Sequence, residues 1–211
     1  MNYTKMIRKY CEERPGEIID IGTIAKERFD MVPYKTLSKC LGRLQKERLL
    51  TKIRSGVYRV AGDEGAKPPF ANYLEDGRGA EIGYGLYRQL GISQASDGIT
   101  RIVTIAISVK EKKVLGAILE KADIPYFGRG EKKTIALLEI IRRGYKIEGL
   151  DYFAYDDVCR KLCWTYTDYA LRNVLKHRKY PSSTICSLDE RLKALGRETN
   201  CLRIYEDIYG I

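Results

Sequence analysis

The chain has 211 residues, 44% of them hydrophobic, with 38 Lys and Arg against 28 Asp and Glu and a single His, for a formal net charge of +10. That balance excludes a disordered or collagen-like chain, and the length allows one or two domains with packed cores. No run approaches the ~18 apolar residues that span a bilayer. Charges at residues 8, 9, 12, 13 and 14 deny the N-terminus an apolar signal core. A cytoplasmic protein with no membrane partner is expected.

The charge is unevenly placed. Residues 1–59 hold 14 Lys and Arg against 7 Asp and Glu, a net +7, and the remaining 152 residues carry only +3. A polyanion-binding module concentrates charge in this way; an even solvated coat does not.

The first predicted element is a helix from Tyr3 to about Glu13, with Met6, Ile7 and Tyr10 at helical spacing, stopped by Arg14-Pro15-Gly16. A short apolar stretch, Ile18-Ile19-Asp20-Ile21, follows. Thr23 has the chemistry to cap a second helix running through Phe29. Asp30-Met31-Val32-Pro33 is a turn, and Pro33 suits the entry to a third helix, from Tyr34 to about Arg48, with Leu37, Leu41 and Leu44 on its apolar face. Leu49 to Val60 then reads as two short strands around Ser55-Gly56, a tight hairpin turn. Helix, helix, turn, basic helix and basic hairpin within about 60 residues is the layout of a winged helix-turn-helix.

Residues 63–79, rich in Gly and Pro at their start, read as a linker between this first domain (1–62) and a mixed α/β second domain (80–211), giving an α+β protein. In the second part, residues 83–92 read as a short helix ending at Gly91, and 101–109 as a strand. The runs VLGAILEKA (114–122) and IPYFG (124–128) are candidate strand partners. A helix is predicted at 134–145, and three more near 155–163, 166–179 and 187–195.

The winged layout together with Gly83-Tyr84-Gly85-Leu86-Tyr87-Arg88-Gln89-Leu90-Gly91-Ile92-Ser93-Gln94 resembles the AbiEi-type antitoxins of bacterial abortive-infection (type IV toxin–antitoxin) systems, over about residues 3–165. The resemblance implies a DNA-binding repressor of its own operon. It also implies a C-terminal domain that counters a nucleotidyltransferase-like toxin, with no stable complex assumed.

In a helix-turn-helix the start of the recognition helix meets base edges. Here that start offers Tyr34, Lys35, Thr36, Ser38 and Lys39, whose donors and hydroxyls suit base readout. Arg43 and Lys46, further along, suit phosphates. The hairpin adds Lys52, Arg54 and Arg59, with Arg54 beside the turn, and double-stranded DNA is the expected partner. Tyr58 is expected to pack beneath the hairpin. A palindromic operator would need two copies, so a monomer or a dimer is compatible.

Other features are weaker. Gly83-Tyr84-Gly85 lacks the Lys-Ser/Thr of a phosphate loop and reads as close helix packing. Gly128-Arg129-Gly130-Glu131-Lys132-Lys133 reads as a basic turn before a helix. Tyr166 and Tyr169, with Leu162 and Leu171, offer an interface or a piece of core. Cys11, Cys40, Cys159, Cys163, Cys186 and Cys201 have no Cys-x-x-Cys pair, and His177 is the sole imidazole, so neither metal nor cofactor is expected and the Cys read as reduced thiols. Asp151, Asp156 and Asp157 form one carboxylate cluster, best read as capping a helix. They are also the acidic residues that a nucleic-acid-acting enzyme would use. A ligand-responsive winged-helix repressor is the other alternative to an autorepressor without catalytic residues.

Overall fold

A computed structural model of the chain describes residues 3–62 and 70–210. The chain divides into two compact units, one formed by Met1–Asp76 with Ala106–Lys110, the other by Gly77–Ile105 with Glu111–Ile211.

The first unit runs α1 (Tyr3–Glu12), β1 (Ile18–Asp20), α2 (Ile21–Glu27), α3 (Tyr34–Lys46), β2 (Leu50–Arg54), β3 (Val57–Val60) and α4 (Ala71–Leu74). Its strands form an antiparallel sheet in the order β1-β3-β2, with Ile19 opposite Tyr58 and Lys52 opposite Tyr58 from the other side. Ile7, Cys11, Ile24, Phe29, Leu37, Leu41, Leu44 and Val60 pack into one core. In α3 the buried residues Leu37, Cys40, Leu41 and Leu44 recur at helical spacing, so burial of one stripe orders a helix whose propensity alone is ordinary.

Asp20, rather than Thr23, caps α2. Its carboxylate accepts from the amides of Gly22 at 2.9 Å and Thr23 at 3.3 Å. An aspartate at the N-cap satisfies orphan amides at the positive end of the helix dipole. Thr23 falls within the first turn instead, and its hydroxyl donates to the Ala106 carbonyl. The helix ends at Glu27, short of the expected Phe29, which drops into the core at 3% exposure.

The segment read as a linker is only partly a connector. Residues 63–69 lie outside the described residues, but 71–74 form α4, and Tyr73 is completely buried. Burial of the Tyr73 ring, together with Ala71 and Asn72, holds the segment against the unit.

The second unit contains β4 (Gly79–Ile82), α5 (Tyr84–Gln89), β5 (Thr100–Thr104), β6 (Glu111–Val114), β7 (Ala117–Lys121) and α6 (Arg129–Arg143). A 3-10 turn (Gly144–Lys146) leads to α7 (Tyr152–Trp164), α8 (Asp168–His177), α9 (Ser182–Ala194) and α10 (Cys201–Tyr209). The sheet order is β4-β5-β7-β6, with β5 and β7 parallel and the other two pairs antiparallel. The protein is therefore α+β with two small sheets.

Several expectations are corrected here. The apolar run 101–109 is strand only to Thr104, and Ala106–Lys110 belong to the first unit. VLGAILEKA is a hairpin, not one strand: the chain folds back at Leu115-Gly116 between β6 and β7. IPYFG forms no strand, because Pro125 has no amide to donate to a ladder; Ile124 and Phe127 are buried from an irregular segment. The supposed basic turn at 128–133 is the start of α6, with the Lys132 amide bonded to the Gly128 carbonyl at 3.0 Å.

A charged network is buried within this unit. Glu139 of α6 is wholly buried and accepts from Arg142 at 2.6 Å, Arg178 at 3.0 Å and the Tyr180 hydroxyl at 3.0 Å. Arg178 also donates to Glu120 at 2.8 Å. Five groups thus satisfy one another where a lone charge would be costly.

Candidate nucleic-acid interface

Burial of one stripe of α3 decides what its opposite face presents. At 3.6 residues per turn, Lys35, Lys39, Arg43 and Lys46 fall within about 80° of one another, diametrically across from the leucines. All four are exposed, and Tyr34 is 57% exposed, while Thr36 and Ser38 are half-buried flanks of the same surface. The helix contains no acidic residue, and its N-cap, Pro33, supplies no side-chain hydrogen bond to the first amides. Among the described residues, none of these four cations is held in an ion pair. Gly42 lies within the same stripe, and nothing stands within 4 Å of where a Cβ would project.

The hairpin continues the pattern. Lys52 is exposed, and Arg54 and Arg59 are half-buried. The ladder slips between Lys52 and Arg54, a bulge that turns Arg54 into register with Val57 beside the loop. The Gly56 carbonyl accepts from the Ile21 amide at 2.8 Å, tying the turn to the start of α2. Gly56 has φ +73, and an added Cβ would meet Ile21 Cγ2 at 2.9 Å, so glycine is required there. Tyr58 is 6% exposed and packs into the core; burial and the neighbouring Tyr34 raise the affinity of its hydroxyl for its proton.

From Met31 to Gly62 the sequence holds eight Lys and Arg and a single carboxylate, Glu47. That glutamate is paired with Arg8 of α1. Arg48 belongs to the same run and was not singled out from the sequence. It is exposed at φ +62 just after α3, and the excess of Lys and Arg across the whole run was the signal that could have found it.

The other candidate residues are dispersed over the second unit. Asp151 caps α7, accepting from the Ala154 amide at 3.0 Å, as the capping reading expected. Asp157 pairs with Lys161 at 2.6 Å and Asp156 lies 3.8 Å from Arg191. A Cβ on Gly85 would come within 1.8 Å of a Glu81 carboxylate oxygen, so the glutamate side chain would have to move aside to admit one. Tyr166 and Leu171 are buried and Tyr169 is 74% exposed, so the four residues Leu162, Tyr166, Tyr169 and Leu171 do not make one surface. A hydrogen bond from Tyr166 to Asp168 at 2.7 Å accounts for its inward position. His177 is exposed at the end of α8. All six cysteines are unbridged thiols, five of them buried.

No protein-family model and no curated protein matches the chain. Among solved structures it is similar to the crystal structure of the RV2827C protein from Mycobacterium tuberculosis, at 11% identity and a TM-score of 0.47, over 98% of this chain and 81% of that one. A likeness of that degree assigns this chain neither a family nor an activity.

Proposed function

We propose that the first unit is a winged helix-turn-helix that binds double-stranded DNA, with α3 as the recognition helix and the β2–β3 hairpin as the wing. The observation that carries this reading is the run from Met31 to Gly62, in which eight cations stand against one carboxylate that is already paired. Lys35, Thr36 and Lys39, with Tyr34 and Ser38, are the base-reading candidates. Arg43, Lys46, Lys52, Arg54 and Arg59 are the phosphate contacts. The uncapped start of α3 adds a positive dipole end to the same surface.

The resemblance found in the sequence extends the proposal: the regulated operon is the protein's own, and the second unit counters a nucleotidyltransferase-like toxin. Relief of toxicity on co-expression with a neighbouring nucleotidyltransferase gene tests that extension.

Binding of the full chain to DNA from upstream of its own gene, against scrambled DNA, at two salt concentrations, tests the DNA reading. Lys35→Ala with Thr36→Ala is expected to abolish the preference for the cognate sequence. Arg54→Ala is expected to weaken both DNAs alike and to flatten the salt slope by about 1. Equal affinity for both DNAs at both salts would refute the autorepressor reading.

A further inference from the structure

The second unit contains a concave pocket of about 290 Å³ that is separate from the cationic face of α3. Its walls come from distant parts of the sequence: the ends of β4 and β5, the first turn of α5, the last turn of α6 and the 3-10 turn after it. Four cations line it, Arg101, Arg142, Arg143 and Lys146, against two carboxylates, Asp97 and Glu120.

The pairing of these groups decides what the pocket can accept. Arg101 is 3.3 Å from Asp97, Arg142 is committed to Glu139 at 2.6 Å, and Glu120 is held by Arg178 at 2.8 Å. Arg143 and Lys146 have no carboxylate partner among the described residues. Arg143 instead donates to the Tyr87 hydroxyl, whose ring is 3% exposed and fixed in the core. Tyr84 packs edge-on against Tyr87, with ring centroids 5.7 Å apart, and flanks the mouth, its hydroxyl 3.5 Å from Glu148. The excess of two positive charges in a concave site matches the two negative charges of a phosphate monoester. The volume lies at the lower limit of small-molecule sites, too small for a dinucleotide.

We propose that this pocket binds a small phosphorylated molecule through its phosphate, gripped by Arg143 and Lys146, with Tyr84 beside the organic group. Guanidinium and ammonium donors converging on one concavity are the usual chemistry of phosphate capture. The inference is independent of the DNA reading, because no residue of the first unit takes part.

The test is calorimetric titration of the full chain with inorganic phosphate, with AMP and with adenosine, at matched ionic strength set with sodium chloride. Saturable heat with phosphate or AMP, and none with adenosine, is expected. Arg143→Gln and Lys146→Gln, both at exposed positions, should each weaken binding about tenfold. Lys39→Ala on α3 should leave it unchanged. Absence of binding by both phosphate and AMP overturns the proposal. So does binding that survives both pocket substitutions, or binding that Lys39→Ala removes, since the anion would then sit on another basic surface. Circular dichroism of the two glutamine variants guards against loss of fold as the cause.

Discussion

Gly42 stands within a 13-residue helix, where glycine is, after proline, the residue that propensity favours least. A glycine in a helix interior costs about 0.5–1 kcal/mol relative to alanine, from the backbone freedom lost on folding. The usual reason to keep one is a neighbour that would collide with a Cβ, and here no atom lies within 4 Å of that position. Gly42→Ala should therefore stabilise the unit containing α3 by about 0.5–1 kcal/mol. In a unit of this size that raises its melting transition by about 2–8 °C. Differential scanning calorimetry of the full chain measures it, with Gly56→Ala as the control of opposite sign. That control places a Cβ at φ +73 and 2.9 Å from Ile21, so it should lower the same transition. No gain from Gly42→Ala, or a loss, would refute the reasoning, because it would mean that something within the chain already fills that space.

Three further outcomes follow from groups described above. Glu139→Leu should cost about 3 kcal/mol, because it removes the buried acceptor shared by Arg142, Arg178 and Tyr180 and leaves Arg178 with Glu120 as its one remaining carboxylate, whereas Glu139→Leu with Arg178→Leu should cost much less than the two single changes added together; strict additivity in urea unfolding would refute the coupling. Burial raises the carboxyl of Asp168, but hydrogen bonds from Asn200 and Tyr166 outweigh it and hold the group below the usual carboxylate range. A depressed acid stabilises the fold above its unfolded-state value and loses that contribution as the pH falls. The deficit of Asp168→Asn in urea unfolding should thus be clear at neutral pH and shrink below about pH 4, and a deficit unchanged across that range would sink the argument. Of the six thiols only Cys186 is exposed, and burial pushes Cys11 up to about 12 and Cys159 and Cys201 up to about 11. A disulfide reagent should therefore titrate one fast thiol, absent in Cys186→Ser; two or more fast thiols in the native protein would contradict the burial described.

The basic helix and hairpin were legible in the sequence because the signal is local. Leu37, Leu41 and Leu44 report α3 by their own spacing, Pro33 marks its start, and Ser55-Gly56 marks the turn between two short alternating strands. What escaped was set by partners far along the chain. β4 is four residues long and exists through its pairing with β5. The run 101–109 has one composition throughout, yet its two ends join different units. α6 starts five residues before the sequence suggested. Gly128 and Gly130 read as turn residues, but Gly128 is the N-cap of α6 and Gly130 lies in its first turn, beside Ala170 of α8. The pocket lined by four cations was invisible for the same reason: its residues span positions 82 to 147 and share no motif.

The five residues Ala106–Lys110 have a consequence for how this protein can be inherited and rearranged. Because they complete the first unit from within the second, the chain passes from one unit to the other three times: after Asp76, after Ile105 and after Lys110. A single recombination event in the region that resembles a linker would hand on the basic helix and hairpin without the carbonyl of Ala106 that Thr23 bonds, and without Ile107, which is 6% exposed. The two halves therefore cannot be shuffled as beads on a string. A lineage that exchanged the unit holding the basic helix and hairpin would have to carry this five-residue insert along with it.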